Sequence, residues 1–317
     1  MRAHYLTLAA AAVLAAQEPR LSTTSRLVIA PATVVDRSGR FVDDLRDGDF
    51  ELYDNGVPRR TQLDFTYFPI SLVIAVQSGS AAAEMVNKTR RIGSMIEPLV
   101  IGERGEAAVI TFDSEVKLLA DFTSDSGKVR DALRAISFGN SGASIIDAVS
   151  EAVRMLAGRA GNRRRVLLLI SEARDRSSKA KLDDALLLAG REDVAIYALT
   201  TNLHASAFTA KPGEMPAPEG GLGLNLIAVF SELRHIAKTN VAEAFARATG
   251  GDHLSFLKQR ALELAVSRVG EELHSQYLLS FQAAAAEDSP DFHRIEVRVK
   301  NRPELVVRSR PGYWMPR

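Results

Sequence analysis

Ile70-Ser71-Leu72-Val73-Ile74-Ala75-Val76-Gln77-Ser78-Gly79-Ser80 is the stretch whose reading decides the fold. A nearly unbroken apolar run ends at a Ser-Gly-Ser turn, and a helical pattern opens near Ala81. Apolar residues at every position, rather than every second one, mark a strand buried on both faces, as in a parallel sheet. Ser78, Gly79 and Ser80 then lie at the carboxyl end of that strand, where open α/β sheets place their ligand sites.

The following chain repeats the alternation. Helices are expected over Ala81–Pro98, Ser126–Ile136, Ser144–Ala157, Lys179–Gly190, Leu226–Lys238, Val241–Thr249 and Arg260–His274. Strands are expected over Glu106–Phe112, Val116–Leu119, Arg165–Ile170, Val194–Leu199 and His253–Phe256. Gly190 sits where a helix C-cap is expected. Strands alternating with helices imply a doubly wound, mostly parallel sheet of the α/β class spanning residues 69–275. Within it, Asn202–Leu224 carries three prolines and four glycines and reads as an exposed, flexible insertion.

Both flanks read as β. Leu27–Ile29, Thr33–Val35, Phe50–Tyr53 and Thr61–Tyr67 are β-rich, and Asp54-Asn55-Gly56 is a strong hairpin signal. Downstream, Tyr277–Phe281, Arg294–Lys300 and Leu305–Arg308 alternate or run apolar, and Gly312-Tyr313-Trp314 closes the chain. Neither flank is long enough to bury a core alone. The economical solution joins residues 26–67 and 276–317 in one small antiparallel β-sandwich, with the α/β unit inserted between them.

Arg2 and His4 precede an apolar run from Tyr5 to Ala16, a pattern that reads as a signal peptide over residues 1–16, with 17–25 a linker. A secreted or periplasmic location is expected. No later segment of the sequence is long and apolar enough for a membrane helix. The net charge of +1 gives no reason to expect a nucleic-acid partner. With no cysteine there is no disulfide framework, thiolate metal site or cysteine nucleophile.

Leu72–Ser80, Gly139–Val149 and Val166–Asp175, taken in order, resemble a von Willebrand factor type A domain. The flanking Val42-Asp43-Asp44-Leu45, Asp54-Asn55-Gly56, Gln276–Phe281 and Pro311-Gly312-Tyr313 resemble those of exported bacterial proteins with this domain, of the acidobacterial type. The resemblance implies a Rossmann-like domain with an adhesion site on the sheet's carboxyl end. There, Asp-x-Ser-x-Ser, a Thr and an Asp hold a Mg²⁺ ion through hard oxygen ligands.

Carried onto this sequence, the pattern is degenerate. Val76 stands for the first Asp, Ser78 and Ser80 for the two serines, and Ala143 for the Thr, with Ser144 beside it. Glu172 stands for the last Asp, with Arg174 and Arg176 close enough in sequence to neutralise it. Mg²⁺ gives up water reluctantly, so one carboxylate leaves at most weak binding. No metal and no cofactor is expected. Ser78, Ser80, Ser144 and Glu172 become the candidate partner-binding face, with Ser78 and Ser80 read as turn and N-cap residues.

The remaining signals read as structural. Asp113 and Glu115 are expected as solvated turn carboxylates, Arg163-Arg164-Arg165 as a solvated loop, and Trp314 as a seal on the sandwich edge. His204, His235, His253, His274 and His293 show no ligand spacing. The function expected is an exported, non-enzymatic module that binds an unknown protein. The alternative is a structural or assembly component of the cell envelope that self-associates through edge strands. A serine hydrolase using Ser78 is a third reading, without the nucleophile-elbow glycines or a recognisable His.

Overall fold

In the computed structural model, which describes residues 25–64, 68–79, 83–96, 102, 104–201, 222–284 and 292–315, Ile70–Gln77 is a strand with all eight residues buried. The expected signal peptide lies outside the described residues, as do residues 202–221 of the expected insertion and Ser80.

In chain order the elements begin with β1 (Ser25–Val35), β2 (Phe50–Asp54), β3 (Val57–Arg59), β4 (Gln62–Leu63) and β5 (Ile70–Gln77). There follow α1 (Ala83–Thr89), α2 (Gly93–Ile96), β6 (Glu106–Phe112), β7 (Val116–Thr123), α3 (Ser126–Arg134) and α4 (Ile145–Ala157). Next come β8 (Arg164–Ser171), α5 (Leu182–Arg191), β9 (Val194–Thr201), α6 (Leu222–Ala237) and α7 (Val241–Thr249). The chain continues with β10 (His253–Phe256), α8 (Gln259–Ser275), β11 (Tyr277–Ala284), β12 (Phe292–Val299), β13 (Val306–Ser309) and β14 (Gly312–Trp314).

The central sheet has the order β10-β9-β8-β5-β6-β7. β5 runs parallel to both neighbours, with Val73 opposite Ala108 on β6 and Leu167 on β8. Only β7 is antiparallel. One face carries Leu72, Ile74 and Val76 against Val86, Ile92, Leu133 and Val266 from α1, α3 and α8 and from the turn before α2. The other carries Val73 and Ala75 against Val149, Val153 and Phe245 from α4 and α7. Burial on both faces is why this strand tolerates no polar alternation.

The flanks close over each other as expected. β13-β1-β11-β4 form one four-stranded sheet and β14-β12-β2-β3 another. Between them lie Val28, Val34, Phe50, Leu52, Phe281, Ile295, Val297 and Tyr313. Asn55 at φ 50° and Gly56 at φ 79° make the left-handed two-residue turn that a hairpin needs to match strand twist.

Four local expectations are corrected. The helix expected over Ala81–Pro98 is interrupted between Thr89 and Gly93. The break brings Gly93 against α3, where a Cβ would stand 3.0 Å from Arg130 Cα. The helix expected from Lys179 begins at Leu182, because the N–H groups of Lys179 and Ala180 donate to the Asp147 carboxylate instead. Gly190 does not cap that helix. It lies inside α5 against the Trp314 indole, and Asp193 takes the left-handed turn at φ 53°.

The arginine run is not a solvated loop either. Arg163 donates to Ser71 Oγ at 2.6 Å and meets Glu106 at 3.2 Å. Arg164 reaches the Leu273 carbonyl, and Arg165 donates to the Glu192 carbonyl. Long aliphatic stems let such side chains lie along apolar surface while their heads pin loop carbonyls. Trp314 packs tilted against Phe292, with centroids 5.1 Å apart, and takes the Arg191 guanidinium at 5.0 Å, sealing the sandwich against α5.

Candidate functional site

Three loops meet at the carboxyl end of the central sheet: the one after β5, the crossing from Phe138 to Ala143, and the one after β8. The second is threaded under tight steric control. A Cβ on Gly79 would come within 2.7 Å of the Gly142 carbonyl, and one on Gly139 within 2.2 Å of Asp113 Oδ2. The Gly139 N–H donates to the Ser78 carbonyl at 2.7 Å, which fixes this crossing onto the first loop.

Asp113, expected in solvent, is only 2% exposed and organises the crest. Its Oδ2 accepts from the Asn140 N–H at 2.8 Å and its Oδ1 from the Glu115 N–H at 2.9 Å. Its carbonyl accepts from the Ser144 N–H at 2.8 Å. Burial pushes the carboxyl upward, but the donated backbone N–H groups outweigh it and hold the group below the usual carboxylate range. Glu115 is exposed as expected.

The candidate residues are brought together only in part. Ser78 is buried, and its hydroxyl donates to the Phe112 carbonyl at 3.3 Å. Ser144 is fully buried and makes no side-chain cap for α4. Its hydroxyl donates to Ser177 Oγ at 3.0 Å. The first turn of α4 is instead braced from the third loop: the Ile146 N–H donates to Asp175 Oδ2 at 3.0 Å, and the Asp147 N–H to Ser178 Oγ at 3.1 Å. Ser144 therefore belongs to the scaffold and not to the exposed face.

Gln77 holds the crest together at its centre. This fully buried amide accepts from the Glu172 N–H at 2.8 Å and donates to Glu172 Oε2 at 3.3 Å. It also reaches the Gly142 carbonyl at 3.4 Å. Glu172 Oε2 takes the Arg176 guanidinium at 2.7 Å as well. The Gln77 amide thus links the first loop to a carboxylate–guanidinium pair on the third. Of the two arginines near Glu172 in sequence, only Arg176 pairs with it. Among the described residues the exposed Arg174 meets no hydrogen-bond or ion-pair partner.

The donors present fit a divalent cation poorly. The Asp113 and Asp175 oxygens accept backbone N–H groups, Glu172 is shared between Gln77 and Arg176, and Val76 and Ala143 offer no side-chain oxygen. Among the described residues no group of three or more His, Asp or Glu side chains is placed to hold a metal. Gln77 and Asp113 escaped the sequence reading. Their roles depend on partners 95 and 27 residues away.

A doubly wound sheet with its crest at the carboxyl end defines the class. Residues 77–174 match the family described as the von Willebrand factor type A domain. No curated protein matches the chain. Its structure is similar to an aerotolerance-related membrane protein from Bacteroides fragilis, at 16% identity and TM-score 0.46, over 65% of this chain and 98% of that one. It is also similar to the conserved hypothetical protein BatB from Bacteroides thetaiotaomicron, at 13% identity and TM-score 0.41, over 64% and 99%. A von Willebrand factor type A structure from Catenulispora acidiphila shares 12% identity at TM-score 0.45, over 78% of this chain and 50% of that one.

Proposed function

We propose that the protein is an exported, non-enzymatic interaction module whose type A crest binds another protein without a divalent cation. The observation that carries this is the Gln77–Glu172–Arg176 chain, which occupies the gap where a cation would need free oxygens. Mg²⁺ needs oxygen ligands in near-octahedral order, and breaking this chain to supply one would strand a buried amide. The non-enzymatic reading is supported by the Ser78 hydroxyl, which faces the Phe112 carbonyl, and among the described residues no imidazole hydrogen-bonds it. Among the described residues no helix is long and apolar enough to cross a membrane.

The full chain, immobilised in chelator, is presented with the exported fraction of its source, beside a Ser141→Arg variant. Ser141 is exposed on the crossing loop, so a bulky residue there obstructs the crest without touching the core. Retention of a protein by the parent chain and its loss with the variant is expected. No retained protein, or one held equally by both chains, contradicts the reading.

A further inference from the structure

The crest's accessible chemistry is lopsided in a way that the cradle alone does not explain. Apart from the exposed Glu115, its carboxylates among the described residues are engaged: Asp113 by the N–H groups of Glu115 and Asn140, Asp175 by those of Ile146 and Ser178, and Glu172 by Gln77 and Arg176. The guanidinium groups are engaged less fully. Arg174 is exposed and unpaired among the described residues, and the Arg176 side chain is 55% exposed while one of its nitrogens is fixed on Glu172. A guanidinium anchored on one side and open on the other is a preorganised fork for carboxylate.

An apolar element stands beside this cationic one. Phe138 is 52% exposed at the start of the crossing loop, an unusual place for a phenyl ring in a loop otherwise built from Gly, Asn, Ser and Ala. The ring is braced on one side. The Arg90 guanidinium lies 5.5 Å from its centroid while Arg90 Nε donates to the Ile136 carbonyl at 3.0 Å, two residues before it. Rigid, exposed aromatic and arginine side chains are the residue types that dominate binding energy at protein interfaces. The prior anchoring of Phe138 and Arg176 lowers the ordering entropy that binding must overcome. The loop's other end is tied to the arginines: the Arg176 N–H donates to the Ala143 carbonyl at 3.0 Å. Phe138 and Ala143 are five positions apart, so their Cα atoms lie at most about 18 Å from each other, inside one standard protein–protein footprint.

We propose that the crest recognises an acidic protein segment, with Arg174 and Arg176 receiving its carboxylate and Phe138 anchoring a neighbouring apolar side chain. The inference rests on the crest being the binding face, and it adds the partner's chemistry. Glu115, exposed on the turn between β6 and β7, disfavours a second acidic group on that side and so orients the segment toward the arginines.

The test uses a random peptide library selected on the immobilised full chain in chelator. The recovered peptide is then labelled and titrated by fluorescence anisotropy. Enrichment of Asp or Glu next to an apolar residue is expected. Converting those acids to Asn or Gln, or making Arg174→Ala or Phe138→Ala in the protein, should each weaken binding about tenfold or more. Arg174→Glu should reverse the preference toward Lys-bearing peptides. Neither Arg174 nor Phe138 is buried, so these variants keep the fold, and an unchanged far-UV spectrum confirms it. Recovery of no acidic peptide, binding indifferent to both Arg174 and Phe138, or binding that appears only with added Mg²⁺ overturns the inference. Failure here while Ser141→Arg still abolishes capture of a whole protein leaves the crest as the binding face and removes only the acidic partner.

Discussion

At the residue scale, Gln77 shows how much one buried amide can hold. It joins the first loop to the second and third through bonds that no apolar residue replaces. Gln77→Ala leaves the Glu172 N–H without its acceptor, at a cost of about 1–3 kcal/mol. A fall in the urea midpoint with unchanged slope checks it. Asp113 carries a pH signature. Its folded carboxyl lies below the ordinary value of about 3.9, so its contribution is complete above that pH. The contribution is lost as pH falls below about 3.9 toward the folded value. Asp113→Asn should destabilise the protein near neutral pH and flatten the acid limb of stability against pH. An acid limb of unchanged slope would show that Asp113 is not held by the crossing loop. None of this was legible beforehand. A sequence shows Asp113 only as an acid in a turn, and the Asn140 N–H that buries its function lies 27 residues away.

At the element scale, the period of the chain carried most of the fold. The double burial of β5 showed as continuous apolar character, and the Asn55-Gly56 turn as a pair of residues that tolerate positive φ. Strand and helix ends followed where a local signal sets them, as in α7, where the Asn240 side chain accepts the Glu243 N–H. They drifted where a distant group decides. The start of α5 moved to Leu182 because Asp147, on α4, takes the preceding N–H groups. The same cross-bracing predicts that Asp175→Ala frees the first turn of α4. The loss is about 0.5–2 kcal/mol, the range for losing a helix cap, although the carboxylate comes from another loop. Hydrogen exchange should locate the loosening at Ile146 and Ser178. Protection unchanged at both amides would contradict the bracing.

At the scale of the whole molecule, the sandwich and the α/β unit share one buried polar knot. Glu272 on α8 is 1% exposed and pairs with Arg308 on β13. It also accepts from Tyr197 Oη at 3.0 Å on β9 and from Thr33 Oγ1 at 3.1 Å on β1. Burial and the neighbouring carboxylate push the Tyr197 hydroxyl well above its ordinary range, so it remains a donor. Arg308 also meets Asp252 at 3.0 Å. Removing one partner leaves a buried charge uncompensated, so Arg308→Ala should cost about 3–5 kcal/mol. It should also split a single unfolding transition into two, since the knot joins both units. A single calorimetric transition of undiminished midpoint would contradict that coupling.

The central claim is that the crest is closed to divalent cations by its own side chains. Titration of the full chain with Mn²⁺, followed by isothermal calorimetry and by the paramagnetic broadening of crest amides, tests it most directly. The account predicts no saturable heat and no broadening selective for Gln77, Gly142 or Glu172. Saturable one-to-one binding with broadening centred on those residues would contradict it.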